Sequence, residues 1–89
     1  MYEIALNRQA QRQYEKLTGK DFKKVDESLE LLKTTPRPPG VIKLSGNIHR
    51  IRVGDWRIIF AIYDKDKLVI IGKIVRRSED TYNNIKKLF

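Results

Sequence analysis

The 89-residue sequence predicts a single α+β domain, residues 1–89, in the order β-αα-βββ-α, with an antiparallel sheet that carries a helical hairpin on one face. Three observations lead to this fold. Two successive segments repeat apolar residues at helical spacing. Three later runs are rich in β-branched and aromatic residues and are separated by short turns, and a final segment begins with a helix cap.

The first half of the chain predicts a short strand and then two helices. Residues 2–6, YEIAL, favour a strand that ends at Asn7, a residue suited to cap the next helix. Gly19 is placed to end the first helix, and Pro36 ends the second. Apolar residues recur at helical spacing in both: Ala10, Tyr14 and Leu17 in the first helix, and Phe22, Val25, Leu29 and Leu32 in the second. The short connection between them predicts an antiparallel hairpin.

The second half predicts an antiparallel meander and a last helix. The stiff connector TPRPPG, residues 35–40, leads into it. The predicted strands are Ile48–Val53, Trp56–Tyr63 and Leu68–Val75. Ser78 is suited to cap a helix that ends at Phe89, because Glu79 and Asp80 follow it in the first turn.

The charge of the chain is its strongest bulk signal. Lys and Arg number 19 against 11 Asp and Glu, which gives a formal net charge of +8. Residues 41–89 hold 11 of the basic and only 5 of the acidic side chains. Such a concentrated positive field favours an anionic partner such as nucleic acid, a ribosome or an acidic protein.

Composition also limits the chemistry. The absence of Cys excludes a disulfide framework, a thiolate nucleophile and a sulfur-based zinc site, and a single His cannot form a metal-binding cluster. We expect no metal site and no cofactor. No secretory signal or long apolar run is present, so the expected location is the cytoplasm.

Strand alternation predicts that several arginines share one face of the sheet. His49, Ile51 and Val53 should face the helices, which leaves Arg50 and Arg52 on the opposite face. The same argument puts Trp56 in the core and Arg57 beside Arg50 and Arg52. Two further arginines, Arg76 and Arg77, end the last strand near the same edge if the meander is regular. We therefore expect the arginines to converge.

Such a cluster suits RNA better than DNA. The sequence has no carboxylate pair at strand spacing, no Ser/His/Asp set and no Gly-rich phosphate loop. RNA supplies its own nucleophile, the 2′-OH beside the scissile phosphate, so a protein need only align the chain, neutralise the developing charge and manage two protons. Tyr82, in the last predicted helix, is placed to stack on a base or orient it.

The run KLSGNIHRIRVGDWRIIFAI, followed by KLVIIGKIVRRSEDTY after a helical hairpin, resembles the RelE/ParE superfamily of toxins from toxin–antitoxin modules. The resemblance implies a ribosome-dependent mRNA endonuclease that acts on mRNA in the ribosomal A site, beside ribosomal RNA. It also implies inhibition by a cognate, RelB-like antitoxin, with the toxin a monomer alone and part of a hetero-oligomer in the complex. By position, the active-site residues of the RelE branch correspond to Arg50, Arg52, Arg57, Arg76 and Tyr82.

One departure from the RelE pattern leaves the general base open. Some RelE proteins have Lys where this sequence has Arg50 and Arg52, and a guanidinium does not readily act as a neutral base. His49, a ribosomal group or solvent could take the proton. Further contacts to RNA are expected from the basic residues Arg77, Lys43 and Lys73, together with Arg50 and Arg52.

Two other functions fit the same fold. One is a ParE-like toxin that binds and inhibits DNA gyrase, although that branch generally lacks the Arg and Tyr set. The other is a module that binds RNA or protein without catalysis.

Overall fold

The computed structural model describes residues 1–76 and Phe89. The elements in this range are β1 (Glu3–Leu6), α1 (Arg8–Lys16), α2 (Gly19–Thr34), β2 (Ile42–Ser45), β3 (Ile48–Val53), β4 (Trp56–Tyr63) and β5 (Leu68–Arg76). The predicted strands and helices before residue 77 are all confirmed. The predicted last helix, Ser78 to Phe89, falls almost wholly outside the described residues, as do Arg77 and Tyr82.

The strands form one five-stranded sheet in the order β1-β5-β4-β3-β2. β3, β4 and β5 pair antiparallel, as predicted, and β2 also pairs antiparallel with β3, whereas β1 pairs parallel to β5. The sequence analysis missed β2, a four-residue edge strand whose Ile42 is 49% exposed. So short and open a strand lacks the alternation that marks its neighbours.

The hydrophobic core lies between the two helices and one face of the sheet. The helices contribute Ala10, Leu17, Val25, Leu29 and Leu32, and the sheet contributes Ile51, Ile58, Phe60, Ile62, Val69, Ile71 and Ile74. Phe22 was predicted to join this core, but it is 38% exposed and packs against Tyr14 with 5.3 Å between the ring centroids. It therefore supports the helical hairpin from outside.

Side-chain hydrogen bonds fix the position of the hairpin. The Asn7 side chain caps α1 by accepting from the backbone N–H of Ala10 at 2.9 Å. The Tyr14 hydroxyl of α1 donates to Asp26 of α2 at 2.7 Å, and this bond raises the pKa of Tyr14 to about 12. Gln13 of α1 accepts from the backbone N–H of Ile74 in β5 at 2.7 Å. The hairpin is therefore attached to the last described strand as well as packed on it.

A network of three polar side chains closes the end of the sheet at the β4–β5 turn. The Arg37 guanidinium donates to both carboxylate oxygens of Asp64, at 3.2 and 2.9 Å, and the Tyr2 hydroxyl donates to Asp64 at 2.6 Å. These bonds join the segment before β1, the Pro-rich connector and the turn after β4. The Arg37 hydrogen bonds, followed by that of Tyr2, lower the pKa of Asp64 to about 2.

We expect this network to stabilise the fold above about pH 4 and to weaken as the pH falls towards 2. The unfolded chain, in which Asp64 has an ordinary pKa near 3.8, binds more protons than the folded chain in that window. Thermal unfolding of the Asp64→Asn variant should therefore depend less on pH between about 4 and 2 than that of the parent. The matched control is Asp66→Asn, an exposed carboxylate in the same turn. An equal change in both variants would contradict the assignment.

Candidate nucleic-acid interface

Three arginines lie on the face of the sheet that is opposite to the helices. The β3–β4 register pairs Arg52 directly with Arg57, and it pairs Arg50 with Ile59. Lys73 of β5 is on the same face, because it pairs with Ile59 from the other side. We call Arg50, Arg52, Arg57 and Lys73 the arginine face. The predicted grouping of the first three is confirmed.

The arginine face is less open than the sequence predicted. Arg52 is exposed and Arg57 is half-buried, whereas Arg50 is only 5% exposed. The physical reason is that this face also carries buried apolar residues: Ile48, Ile59, Ala61 and Val75. Arg50 pairs with Ile59 on one side and with Ile42 on the other, so its stem lies between isoleucines. Arg50 thus lies on the predicted face but is buried there.

Arg50 contributes a buried cation at a cost in stability. Its Nε is buried and meets no hydrogen-bond acceptor among the described residues. Moving a guanidinium into an apolar setting is unfavourable unless its donors are satisfied, and replacing such a group by an apolar residue of similar size is often neutral or stabilising. A residue that lowers stability in the middle of a strand is a candidate for a functional role.

We expect Arg50→Met to raise the free energy of unfolding by about 1 kcal/mol, because it removes a buried charge and keeps an unbranched apolar stem. Urea denaturation followed by circular dichroism measures this. Arg52→Met is the matched control: Arg52 is exposed in the same strand, so its change should stay within about 0.5 kcal/mol. Marked destabilisation by Arg50→Met would show that the guanidinium makes a favourable interaction in the folded chain.

Arg76 does not join the other arginines. It pairs with Trp56, and its guanidinium carbon lies 4.8 Å from the centroid of the Trp56 ring, on the face that carries the helices. The cause is an irregularity in β5: Ile59 pairs with Lys73, but the next residue of β4, Phe60, pairs with Ile71. The extra residue reverses the alternation beyond it. The predicted convergence therefore fails for Arg76, which shares only the end of the sheet with Arg52 and Arg57.

The two lysines predicted to contact RNA, Lys43 and Lys73, also lie on opposite faces of the sheet. Lys73 is half-buried on the arginine face. Lys43 is exposed on the edge strand β2 and pairs with His49, so it lies on the helix side. Only Lys73 is placed to extend the arginine face.

His49 occupies the core side of β3, as the alternation predicted. It is 5% exposed, its ring stacks on Phe60 with 5.8 Å between centroids, and its Nδ1 lies 2.8 Å from the backbone carbonyl of Asn47. Because a carbonyl can only accept, Nδ1 carries the proton that is donated. Burial lowers the pKa of His49, although the Asn47 carbonyl opposes the shift. In this position the His49 ring is separated from the arginine face by the sheet.

We expect the stability of the fold to decrease as the pH falls below about 6.5, the ordinary pKa of a histidine, because the unfolded chain then binds a proton that buried His49 resists. Nearby Arg37 and Lys43 favour the neutral ring and Asp64 opposes them. His49 is the only histidine, so one NMR titration of its ring protons should give a pKa below 6.5. His49→Gln should be less stable at neutral pH but should lose the dependence between about pH 7 and 5.

Ion pairs lie away from the cationic groups of the candidate site. Lys33 pairs with Glu30 at 3.0 Å, and Arg37 pairs with Asp64 at the far end of the sheet. Within residues 1–76, no carboxylate forms an ion pair with Arg50, Arg52 or Arg76. Of these three, Arg52 and Arg76 are exposed, whereas Arg50 is buried.

Two further findings apply to the described part of the chain. No group of three or more His, Asp or Glu side chains there is close enough to hold a metal ion. Neither α1 nor α2 has the length and apolar character that a membrane crossing requires.

A five-stranded sheet with a helical hairpin on one face and arginines on the other defines a class of small toxins. The family model described as the ParE toxin of type II toxin–antitoxin systems matches residues 4–81. RelE1 of Methanocaldococcus jannaschii, assigned as a toxin, is 30% identical over 88 residues, which cover 93% of this chain and 97% of that protein. The chain belongs to the ParE toxin family, within the RelE/ParE superfamily, and is a RelE-like toxin of a type II toxin–antitoxin system.

Solved structures show the same fold. A chain of the RelE–RelB complex from Pyrococcus horikoshii OT3 superposes with a TM-score of 0.79 at 28% identity, over 88% of this chain and 97% of that one. The isolated RelE toxin of E. coli gives a TM-score of 0.77 at 14% identity and full coverage of both chains. The resemblance inferred from the sequence is confirmed at the level of family and fold.

Sequence reasoning missed the residues on the helix side of this end of the sheet. Gln13 and Lys16 of α1, with Trp56 and Arg76, line a cleft of about 260 Å³. Gln13 and Lys16 looked like ordinary polar positions of an amphipathic helix. No sequence pattern could have linked them to Arg76, because the irregularity in β5 decides on which face Arg76 lies.

Proposed function

We propose that this toxin is a ribosome-dependent mRNA endonuclease that uses the RNA 2′-OH as its nucleophile and needs no metal ion. The observation that carries the proposal is the direct pairing of Arg52 with Arg57, with Arg50 on the same face. Two guanidinium groups side by side form a fork of donors that suits phosphate oxygens. The 30% identity to a RelE toxin supports the same reading.

In the proposed reaction, the arginine face acts on the scissile phosphate. The 2′-OH attacks the adjacent phosphorus, the bond to the 5′ oxygen of the next nucleotide breaks, and a 2′,3′-cyclic phosphate and a 5′-OH result. Exposed Arg52 and half-buried Arg57 stabilise the charge that develops on the non-bridging oxygens. Arg50 is buried on the same face and adds positive potential there, because a buried charge is less screened by solvent than an exposed one.

The group that takes the proton from the 2′-OH and the group that gives a proton to the 5′ oxygen both lie outside the arginine face. His49 is on the other face, and a guanidinium does not readily act as a neutral base. The resemblance assigns a role to Tyr82, which lies outside the described residues. We propose that the ribosome supplies the in-line geometry and, with Tyr82 or solvent, the proton transfers. This division of labour explains why free RNA should be a poor substrate.

We also propose that a cognate antitoxin covers the arginine face. The similar structures include RelE–RelB complexes from Pyrococcus horikoshii and E. coli. An acidic segment is the partner whose charge matches exposed Arg52 and half-buried Arg57, and binding there would block access of the RNA phosphate.

Arg57→Ala should lower the rate of mRNA cleavage in a translating extract by about a hundredfold, because it removes a contact to the developing charge. Arg8→Ala is the matched control, since Arg8 is exposed in the first turn of α1, away from the arginine face. Mapping of 5′ ends, with phosphate-specific ligation, measures both rate and product. The products should carry a 5′-OH, and a single 2′-deoxy substitution at the scissile position should abolish cleavage.

A 5′-phosphate product, or cleavage of the 2′-deoxy substrate, would show that water attacks instead. The matching family model is described as the ParE toxin. The alternative function is therefore that of a ParE-like toxin, which binds and inhibits DNA gyrase. Intact mRNA together with gyrase trapped on cut DNA would establish that alternative in place of the proposed endonuclease.

A further inference from the structure

A cleft of about 260 Å³ opens at the end of the sheet where Arg52 and Arg57 also lie, but on the helix side. It is lined by residues of α1, of the start of α2, and of β4 and β5: Gln13, Lys16, Leu17, Thr18, Asp21, Trp56, Ile74, Val75 and Arg76. The volume is just below the usual range for small-molecule pockets. It therefore suits one planar group better than a large ligand.

The cleft exists because β1 is shorter than β5. β1 pairs with β5 only as far as Leu6 opposite Ile71, after which the chain turns into α1. Beyond that point no strand within residues 1–76 pairs with the outer edge of β5. The Gln13 side chain takes one position of the missing strand by accepting from the Ile74 N–H at 2.7 Å. Among the described residues, the rest of the space between α1 and the end of β5 forms the cleft.

The floor of the cleft combines an aromatic ring with a cation. The Arg76 guanidinium lies over Trp56 at 4.8 Å, and Arg76 is exposed. An exposed guanidinium held over an indole is a group on which a nucleobase can also stack. The Trp56 Nε1 is buried and meets no acceptor among the described residues, so the indole presents its ring and not its N–H to the cleft.

The cationic groups of the cleft continue those of the arginine face. Trp56 precedes Arg57 in β4, and the side chains of successive strand residues point to opposite faces, so the two sites lie one residue apart across the sheet. Lys24 of α2 lies beside the connecting turn, with its Nζ 3.7 Å from the position a Cβ atom at Gly54 would occupy. Lys24 therefore adds a cation beside the turn that joins the strand of the arginine face to the strand of the cleft.

We propose that the cleft is a second contact for single-stranded RNA and binds a nucleotide that flanks the one cleaved. Lys16 and Arg76 hold its phosphate, and its base stacks on the outer surface of the Arg76 guanidinium. This inference rests on the proposed endonuclease function, and it gives Arg76 a role in binding the substrate away from the scissile phosphate. An acidic peptide fits less well, because Asp21 in the lining repels carboxylates but can accept from a base amino group.

Trp56 is the only tryptophan, so its fluorescence reports directly on the cleft. The probe is a single-stranded 2′-O-methyl RNA of about eight nucleotides, which cannot be cleaved through its 2′ oxygen. Its binding is followed in parallel by the anisotropy of a 5′ label, at about 50 mM salt. We expect the RNA to quench Trp56 with the same dissociation constant that the anisotropy gives.

Lys16→Ala should weaken RNA binding about three- to tenfold. It should also lower the slope of log K against log salt by about 0.7, because that is the value for one phosphate contact to a single strand. The matched control is Lys65→Ala, an exposed lysine in the β4–β5 turn at the opposite end of the sheet. It makes the same charge change and should alter the dissociation constant by less than about twofold. Circular dichroism confirms that both variants are folded.

Two results would overturn the inference without touching the proposed function. In one, the labelled RNA binds without changing Trp56 fluorescence, and Lys16→Ala binds it as tightly as the parent does. This result would show that RNA contacts the arginine face alone. In the other, an acidic peptide of the same length quenches Trp56 and RNA does not, so that the cleft binds protein. Quenching by RNA, with intact mRNA in the translating extract, would instead support the cleft and contradict the endonuclease.

Discussion

The register of the β3–β4 ladder is the constraint on which the rest of this structure depends. The two-residue turn at Gly54, whose φ of 60° suits glycine, sets Arg52 directly opposite Arg57. Like charges opposite each other in a ladder are destabilising. The same register aligns Ile51 with Ile58 and buries both against the helices. A slip of one residue would move these side chains to the opposite face, so the core holds the arginines together despite their repulsion.

The irregularity in β5 has the second largest consequence. Before it, Val69 and Ile71 face the helices; after it, Ile74 and Arg76 do. Regular alternation would have sent Arg76 to the arginine face. The extra residue instead keeps Ile74 in the core and brings Arg76 onto Trp56. A single inserted position thus divides the cations at this end of the sheet between two faces and creates one side of the cleft.

The chain concentrates its electrostatic stabilisation away from its cationic end. Asp64 binds Arg37 and Tyr2 at the β4–β5 turn, where three segments of the chain meet. At the other end, Arg52 is exposed and Arg50 is buried beside isoleucines. Proteins commonly accept a local cost in stability where a charged ligand binds. An RNA phosphate or an acidic antitoxin segment, as proposed above, would bring negative charge to the exposed Arg52.

The sequence by itself determined the two helices, the three long strands, the core face of β3 and β4 and the family, because each depends on periodicity or on a local motif. It also placed Arg50, Arg52 and Arg57 on one face, since strand alternation is strict within an unbroken ladder. Only the tertiary structure decided the parallel pairing of β1 with β5, the edge strand β2, the burial of Arg50 and the face of Arg76. These depend on contacts between residues far apart in the chain, and on one extra residue in a strand, and neither leaves a periodic signal in the sequence.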